Sequence, residues 1–246
     1  MKLKKIYDFL NETSPFELQE EWDNSGLLVG NFDNDINKIY LTLDLDEGVI
    51  ENADENSLII AHHPLIFKPL KNVIPNSFST KLLIKLIQKN ISFIALHTNF
   101  DKTHLNRYVA EEVLGLKGES DRFVYTAEVN KIFNEFIEEI KNRLNLRCLK
   151  SVKCKEFIKT VSLTTGAGMS LLPYIKTDMF LTGDIKYHEA MDAKARGISL
   201  ADIGHYESEK FFADVLYPEI KDLDVEIVKT NSQNPFLYKC KMDNGN

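Results

Sequence analysis

The first apolar rhythm along the chain has the spacing of a helix, with Ile6, Phe9 and Leu10 recurring on one face. Ser14 followed by Pro15 then predicts a capped second short helix that Trp22 closes. Beyond the turn Asp23-Asn24-Ser25-Gly26 the period changes. Residues 27–30 and 38–45 are rich in β-branched and apolar residues between turn formers, which predicts strands. Short apolar runs at 58–61 (LIIA), 91–96 (ISFIAL) and 198–203 (ISLADI) predict further strands, separated by amphipathic helical patterns. A helix from Ser79 places Leu82, Leu83, Leu86 and Ile87 on one face. One over 104–114 does the same with Leu105, Val109, Val113 and Leu114 until Gly115 stops it. The helical pattern is strong again over 130–144.

Strand and helix alternating at this period imply an α/β architecture with largely parallel pairing, because a parallel connection needs a crossover. The pattern blurs over 115–129, around Gly115, Gly118 and the charged stretch that follows. That predicts two α/β lobes of similar size, 1–120 and 121–246, with chain ends that could cross between them. At 246 residues and 43% hydrophobic, the chain can bury a core without disulfides or metal. Its net charge of −7 disfavours general affinity for nucleic acid. Cys148, Cys154 and Cys240 show no metal-ligand spacing and read as reduced packing thiols. The opening residues lack a secretory apolar stretch and no run is long enough to span a bilayer, so a cytoplasmic location is expected and no membrane partner.

Candidate chemistry gathers at the predicted strand ends. Ala61-His62-His63-Pro64 closes the strand LIIA, at the end of a parallel sheet where ligands bind. Adjacent histidines inside a strand would point to opposite faces, and Pro64 ends the regular pairing that would hold them so. The next strand runs through His97 into Asp101, a residue that could equally cap the helix after it. His97 itself reads as a packed or supporting histidine more than as a ligand. A third strand ends in His205-Tyr206-Glu207-Ser208-Glu209, where His205 and Glu209 share one helical face. Imidazoles and carboxylates without thiolates suit zinc, iron, manganese, cobalt or nickel. Five ligands with one carboxylate able to bridge imply two divalent ions. The Thr164-Thr165-Gly166-Ala167-Gly168 turn is either a plain tight turn or a cradle of free N–H groups for an anion. Near Thr182-Gly183-Asp184, His188 is either a packing residue or a general acid or base.

Taken together, seven segments resemble the NIF-three-like (NGG-interacting-factor-three-like) family, known also as GTP cyclohydrolase I type 2 or dinuclear-metal-centre proteins. They are EEWDNSGLLVG (20–30), LTLDLDEGVIENA (41–53), IIAHHPLIF (59–67), LHTNFD (96–101), TTGAG (164–168), TDMFLTGDIKYHEAMDA (177–193) and LADIGHYESEKFFADVL (200–217). The resemblance implies two α/β lobes with a dinuclear metal site in the cleft between them, assembled into a homohexamer built as a trimer of dimers. By motif, His62, His63, His205 and Glu209 are ligands and Asp101 the bridging carboxylate, with His97 next to the metals and Trp22, Asp23 and Asn24 as structural support. The stretch after Asp101 departs from the family pattern, and leaves His104 either in the cleft or on the surface. The extra domain that some relatives insert between the lobes is missing.

A metal pair with open positions lowers the pKa of a bound water, which suits a hydrolase acting on a nucleotide or related small molecule. In a GTP cyclohydrolase-like reaction, His97 or His188 would move protons and the Gly166–Gly168 turn would hold phosphate. The alternative is a non-catalytic metal-binding or regulatory ring protein, which the motifs alone do not separate from an enzyme.

Overall fold

The computed structural model describes residues 1–230 and 232–239. Among these, the chain forms Gly26–Val29 (β1), Lys38–Thr42 (β2), Leu58–Ala61 (β3), Ser92–Ala95 (β4), Gly118–Asp121 (β5) and Val124–Ile132 (β6). Lys150–Val152 (β7), Phe157–Leu163 (β8), Met179–Thr182 (β9), Ser199–Asp202 (β10) and Glu226–Lys229 (β11) follow. The chain divides into two compact α/β units, one of residues 1–104 and 211–233, the other of 105–210 and 234–239.

The first unit carries a five-stranded sheet in the order β1-β4-β3-β2-β11. β11, β2, β3 and β4 run parallel, and β1 joins antiparallel at the edge. β3 is apolar at all four positions because both of its faces are covered, and every residue in it is fully buried. The helix Phe78–Gln88 packs Leu82, Leu83 and Leu86 into this core and leaves Ile87 exposed. It begins with a capping box, Ser77 and Thr80 satisfying each other's backbone N–H groups, a device worth about 1 kcal/mol. The short helix expected up to Trp22 shrinks to one 3-10 turn, Phe16–Leu18, whose entry is set by Asn11 Oδ1 accepting from the Phe16 N–H at 3.0 Å.

The second unit carries a six-stranded sheet, β5-β6-β8-β9-β10-β7, in which only β8, β9 and β10 are parallel neighbours. Parallel pairing therefore dominates the first sheet and shares the second with antiparallel pairs. The blurred stretch after Gly115 is the β5-β6 hairpin, turned at Arg122 with φ of 54°. A cut at 120 would divide one antiparallel pair; the observed boundary lies instead at 104/105, and residues 211–233 return to the first unit. β6 also takes the first residues of the helix expected over 130–144, which runs Phe133–Arg143.

The helical run over 98–113 alternates α turns, Thr98–Phe100 and Asn106–Tyr108, with π turns, Asp101–Leu105 and Val109–Val113. Wide i→i+5 turns of this kind concentrate at functional sites, and the first begins on Asp101. Cys154 is a free, half-buried thiol as expected, whereas Cys148 is disulfide-bonded, which corrects the expectation of a reduced thiol there; Cys240 lies outside the described residues. Among the described residues, no helix is long and apolar enough to cross a membrane.

Candidate functional site

In the first unit, β3 ends at Ala61 and the backbone turns at once. The His62 and His63 N–H groups both donate to the Leu43 carbonyl, at 3.1 and 3.2 Å. Release from strand geometry lets the two imidazoles lie together, their centroids 5.0 Å apart. His97, just beyond β4, stands 5.1 Å from the His62 ring and 5.4 Å from the His63 ring. One nitrogen from each of the three falls within 4.8 Å of the others. Asp101 joins them, its Oδ1 3.4 Å from His62 Nε2.

The nitrogen each ring offers follows from what holds its other side. His62 Nδ1 lies 2.8 Å from the Leu96 carbonyl oxygen, an atom that can only accept, so Nδ1 carries a proton and Nε2 is the nitrogen that offers the lone pair of the neutral ring. His63 Nδ1 donates to Asp44 Oδ1 and His97 Nδ1 to Asp23 Oδ1, each at 2.7 Å. Asp23 is itself anchored. Its Oδ2 accepts from the Thr98 N–H at 3.1 Å and from the Ser25 and Thr98 hydroxyls, and burial raises its carboxyl pKa less than the hydrogen bonds and charge of His97, with those of Thr98 and Asn24, lower it. Asn99 completes the turn by accepting from the His97 N–H and donating to Ser14.

In the second unit, the five-residue helix His205–Glu209 follows β10 after Gly204. The i, i+4 spacing does what it predicts, placing His205 Nε2 3.0 Å from Glu209 Oε2. His205 Nδ1 donates to Asp184 Oδ2 at 2.7 Å, the same arrangement as in the other three histidines. Glu209 is buried against the Thr164–Gly168 turn. That turn is not a cradle of free N–H groups: Thr165 donates to Asn106 Oδ1, Gly166 to Ser208 Oγ and Gly168 to Thr182 Oγ1, at 2.7, 3.0 and 2.8 Å. With the Thr165, Gly166 and Gly168 N–H groups engaged in the fold, the turn reads as a tight turn, the first of its two expected roles.

His188 is exposed in the first turn of the helix Tyr187–Ala195, its ring edge-on to Tyr187. His104 is half-buried, stacked on Phe100 at 4.8 Å with Nδ1 on the Thr103 hydroxyl. Burial lowers its pKa against the opposing charge of Glu219. Of the supporting residues, Asp44 was not singled out from sequence and Asp184 was seen only as a polar group at a strand end. Their signal is placement, since each lies two residues beyond a strand end, Thr42 for Asp44 and Thr182 for Asp184.

A profile of the family described as Duf34/NIF3 (NGG1p interacting factor 3) matches residues 1–235. The chain is 45% identical over 240 residues to a Campylobacter jejuni protein named GTP cyclohydrolase 1 type 2 homolog, covering 97% of this chain and all of that one. A Helicobacter pylori protein named GTP cyclohydrolase 1 type 2 is 42% identical over 236 residues, covering 95% of this chain and 97% of its own. Among solved structures, reduced HcgD from Methanocaldococcus jannaschii matches with a TM-score of 0.80 at 30% identity, over 93% of this chain and 97% of that one. A Staphylococcus aureus protein described as hypothetical matches with a TM-score of 0.84 at 26% identity, over 97% and 99%.

Proposed function

The chain belongs to the Duf34/NIF3 family, and on that footing we propose that it is a dinuclear-metal-dependent hydrolase acting on a nucleotide or a related small molecule. One observation carries the proposal. Four histidines, His62, His63, His97 and His205, each have Nδ1 held by a carboxylate or carbonyl oxygen, so that Nε2 is the nitrogen presented. An oxygen on the far side of an imidazole fixes its tautomer and raises its basicity, as metal-ligating histidines require. The donor set fits divalent ions of the zinc, iron, manganese, cobalt and nickel group. His62, His63, Asp101, His205 and Glu209 are assigned as the ligands of two ions, with Asp101 as the bridge. Such a pair supplies Lewis acidity and lowers the pKa of a coordinated water.

The protein's own groups then divide the remaining work. His97, with Asp23 behind it, accepts or returns a proton through Nε2, and the exposed His188 is the second proton-moving candidate. The substrate class is drawn from the relatives named for GTP cyclohydrolase 1 type 2. The protein is proposed to be cytoplasmic and to assemble as a homohexamer, a trimer of dimers; light scattering that gives a 28.3 kDa monomer would refute that assembly. The functional test is elemental analysis after reconstitution with each candidate metal, followed by a screen of the loaded protein against nucleotides and phosphoesters. Two ions per chain with turnover of one compound class supports the proposal. Two ions with no turnover across the screen favours a non-catalytic metal-binding or regulatory ring.

A further inference from the structure

We propose that Trp22 and Phe67 form a stacking platform for the flat ring of a nucleotide, with Lys68 and Lys71 receiving its phosphate; the inference rests on the nucleotide substrate proposed above. Trp22 is 57% exposed and Phe67 44% exposed, so both present aromatic surface to solvent. Their centroids lie 5.6 Å apart, and each stands 6.1 Å from the His97 ring, inclined to it by 78° and 74°. The platform therefore adjoins the histidine group of its own unit.

The exposure is built rather than incidental. Asp23, next to Trp22, has a fully buried side chain bonded to His97 Nδ1 and to Thr98. Asn24 Nδ2 donates to the Ile66 carbonyl at 2.5 Å, which ties the backbone beside Trp22 to the residue before Phe67. Both aromatic residues are thus anchored by neighbours while their rings face solvent. The sequence around them adds a charge argument. In a chain of net charge −7, residues 56–100 contain five lysines and no aspartate or glutamate. Lys81 and Lys85 pair with Glu47, and Lys89 is held by backbone carbonyls. Lys68 and Lys71, immediately beyond Phe67, are exposed and make no ion pair among the described residues. An exposed aromatic pair followed in sequence by exposed cations matches a ligand with a planar ring at one end and an anion at the other.

Trp22 is the chain's one tryptophan, so its fluorescence reports the platform directly. The full-length protein, metal-free and metal-loaded, is titrated with GTP, guanosine and ribose 5-phosphate, and affinities are checked by equilibrium dialysis. GTP and guanosine are expected to quench Trp22, and ribose 5-phosphate is not. Phe67→Leu, and Trp22→Leu followed by dialysis, should weaken GTP binding roughly 5- to 150-fold, the range into which stacking of ~1–3 kcal/mol per base converts. Lys68→Ala with Lys71→Ala should weaken GTP and flatten its salt dependence while sparing guanosine. Unchanged GTP affinity in both aromatic variants, quenching by ribose 5-phosphate equal to that by GTP, or no nucleotide binding at all overturns the proposal. Failure of the protein to bind metal would instead remove the metal assignment, because the metal-free titration still tests the platform.

Discussion

Gly166 leaves room for Glu209: a Cβ built at residue 166 would overlap the Glu209 Oε1 atom and come within 3.5 Å of His205 Nε2. The glycine also holds φ at +61°, a left-handed conformation that costs other residues about 1–2 kcal/mol. Gly166→Ala is therefore expected to lower stability by at least ~1 kcal/mol and to displace the Glu209 carboxylate. Glu209→Gln, which keeps size and helix propensity, should melt close to the parent while losing metal affinity. Thermal melting of the metal-free proteins and metal titration separate the two effects. Equal metal affinity in Glu209→Gln and the parent would return Glu209 to a plain partner of His205.

The oxygen behind each histidine predicts a second class of variant. Asp44 and Asp184 are 46% and 57% exposed, so their pairs with His63 and His205 add about 0–1 kcal/mol to folding. Asp44→Ala and Asp184→Ala should leave the metal-free melting temperature nearly unchanged and reduce metal affinity about 10- to 100-fold. Isothermal titration with zinc and with manganese measures the loss. Affinity within twofold of the parent in both variants would show that these carboxylates are only surface partners.

Asp101 is expected to matter more for metal content than any single histidine, because the assigned bridge serves both ions. Elemental analysis should find fewer than one ion per chain in Asp101→Ala and about one in His62→Ala, as a two-ion site with one shared ligand implies. Two ions retained in Asp101→Ala would sink the bridge.

Asp178 supplies a test of pH dependence away from the histidines. Burial raises its carboxyl pKa, and hydrogen bonds from Lys155 and from the Lys159 and Thr160 N–H groups, with the Lys155 charge, lower it further than burial raises it. A folded pKa below the unfolded one contributes stability above the ordinary carboxylate range and loses it as pH falls through the folded value. Asp178→Asn should therefore destabilise at pH 7, by about 1–3 kcal/mol, the worth of the charged hydrogen bonds that tie the start of β9 to β8. The gap to the parent should close below about pH 4, where the unfolded carboxyl takes up its proton. Denaturant melts at pH 7 and pH 3 decide, and a gap that does not change with pH would discount the charge.

Much of the architecture was legible from local pattern. β3 and β10 read from their apolar runs, the helix Phe78–Gln88 from its leucines, and the His205-Glu209 pairing from helical spacing alone. These features depend on the period of the chain over a few residues, which sequence records directly. The unit boundary was not legible, since the β5-β6 hairpin is charged and exposed and carries little apolar alternation. The grouping of His97 with His62 and His63 was legible, because neighbouring parallel strands end at the same level of the sheet and β3 and β4 do so here.

The sequence by itself determined the α/β class, the strand ends that carry histidine and carboxylate, and the segments that resemble the family. Only the tertiary structure decided which ring nitrogen each histidine presents, that the Gly166 turn makes room for Glu209 instead of cradling an anion, and that a π turn begins on Asp101. Those choices rest on partners far along the chain, Leu96 for His62, Asp44 for His63 and Asp23 for His97, at 34, 19 and 74 residues' separation. A residue's type and its near neighbours specify what chemistry it can offer. The direction in which it offers that chemistry is set by hydrogen-bond partners that folding brings from elsewhere.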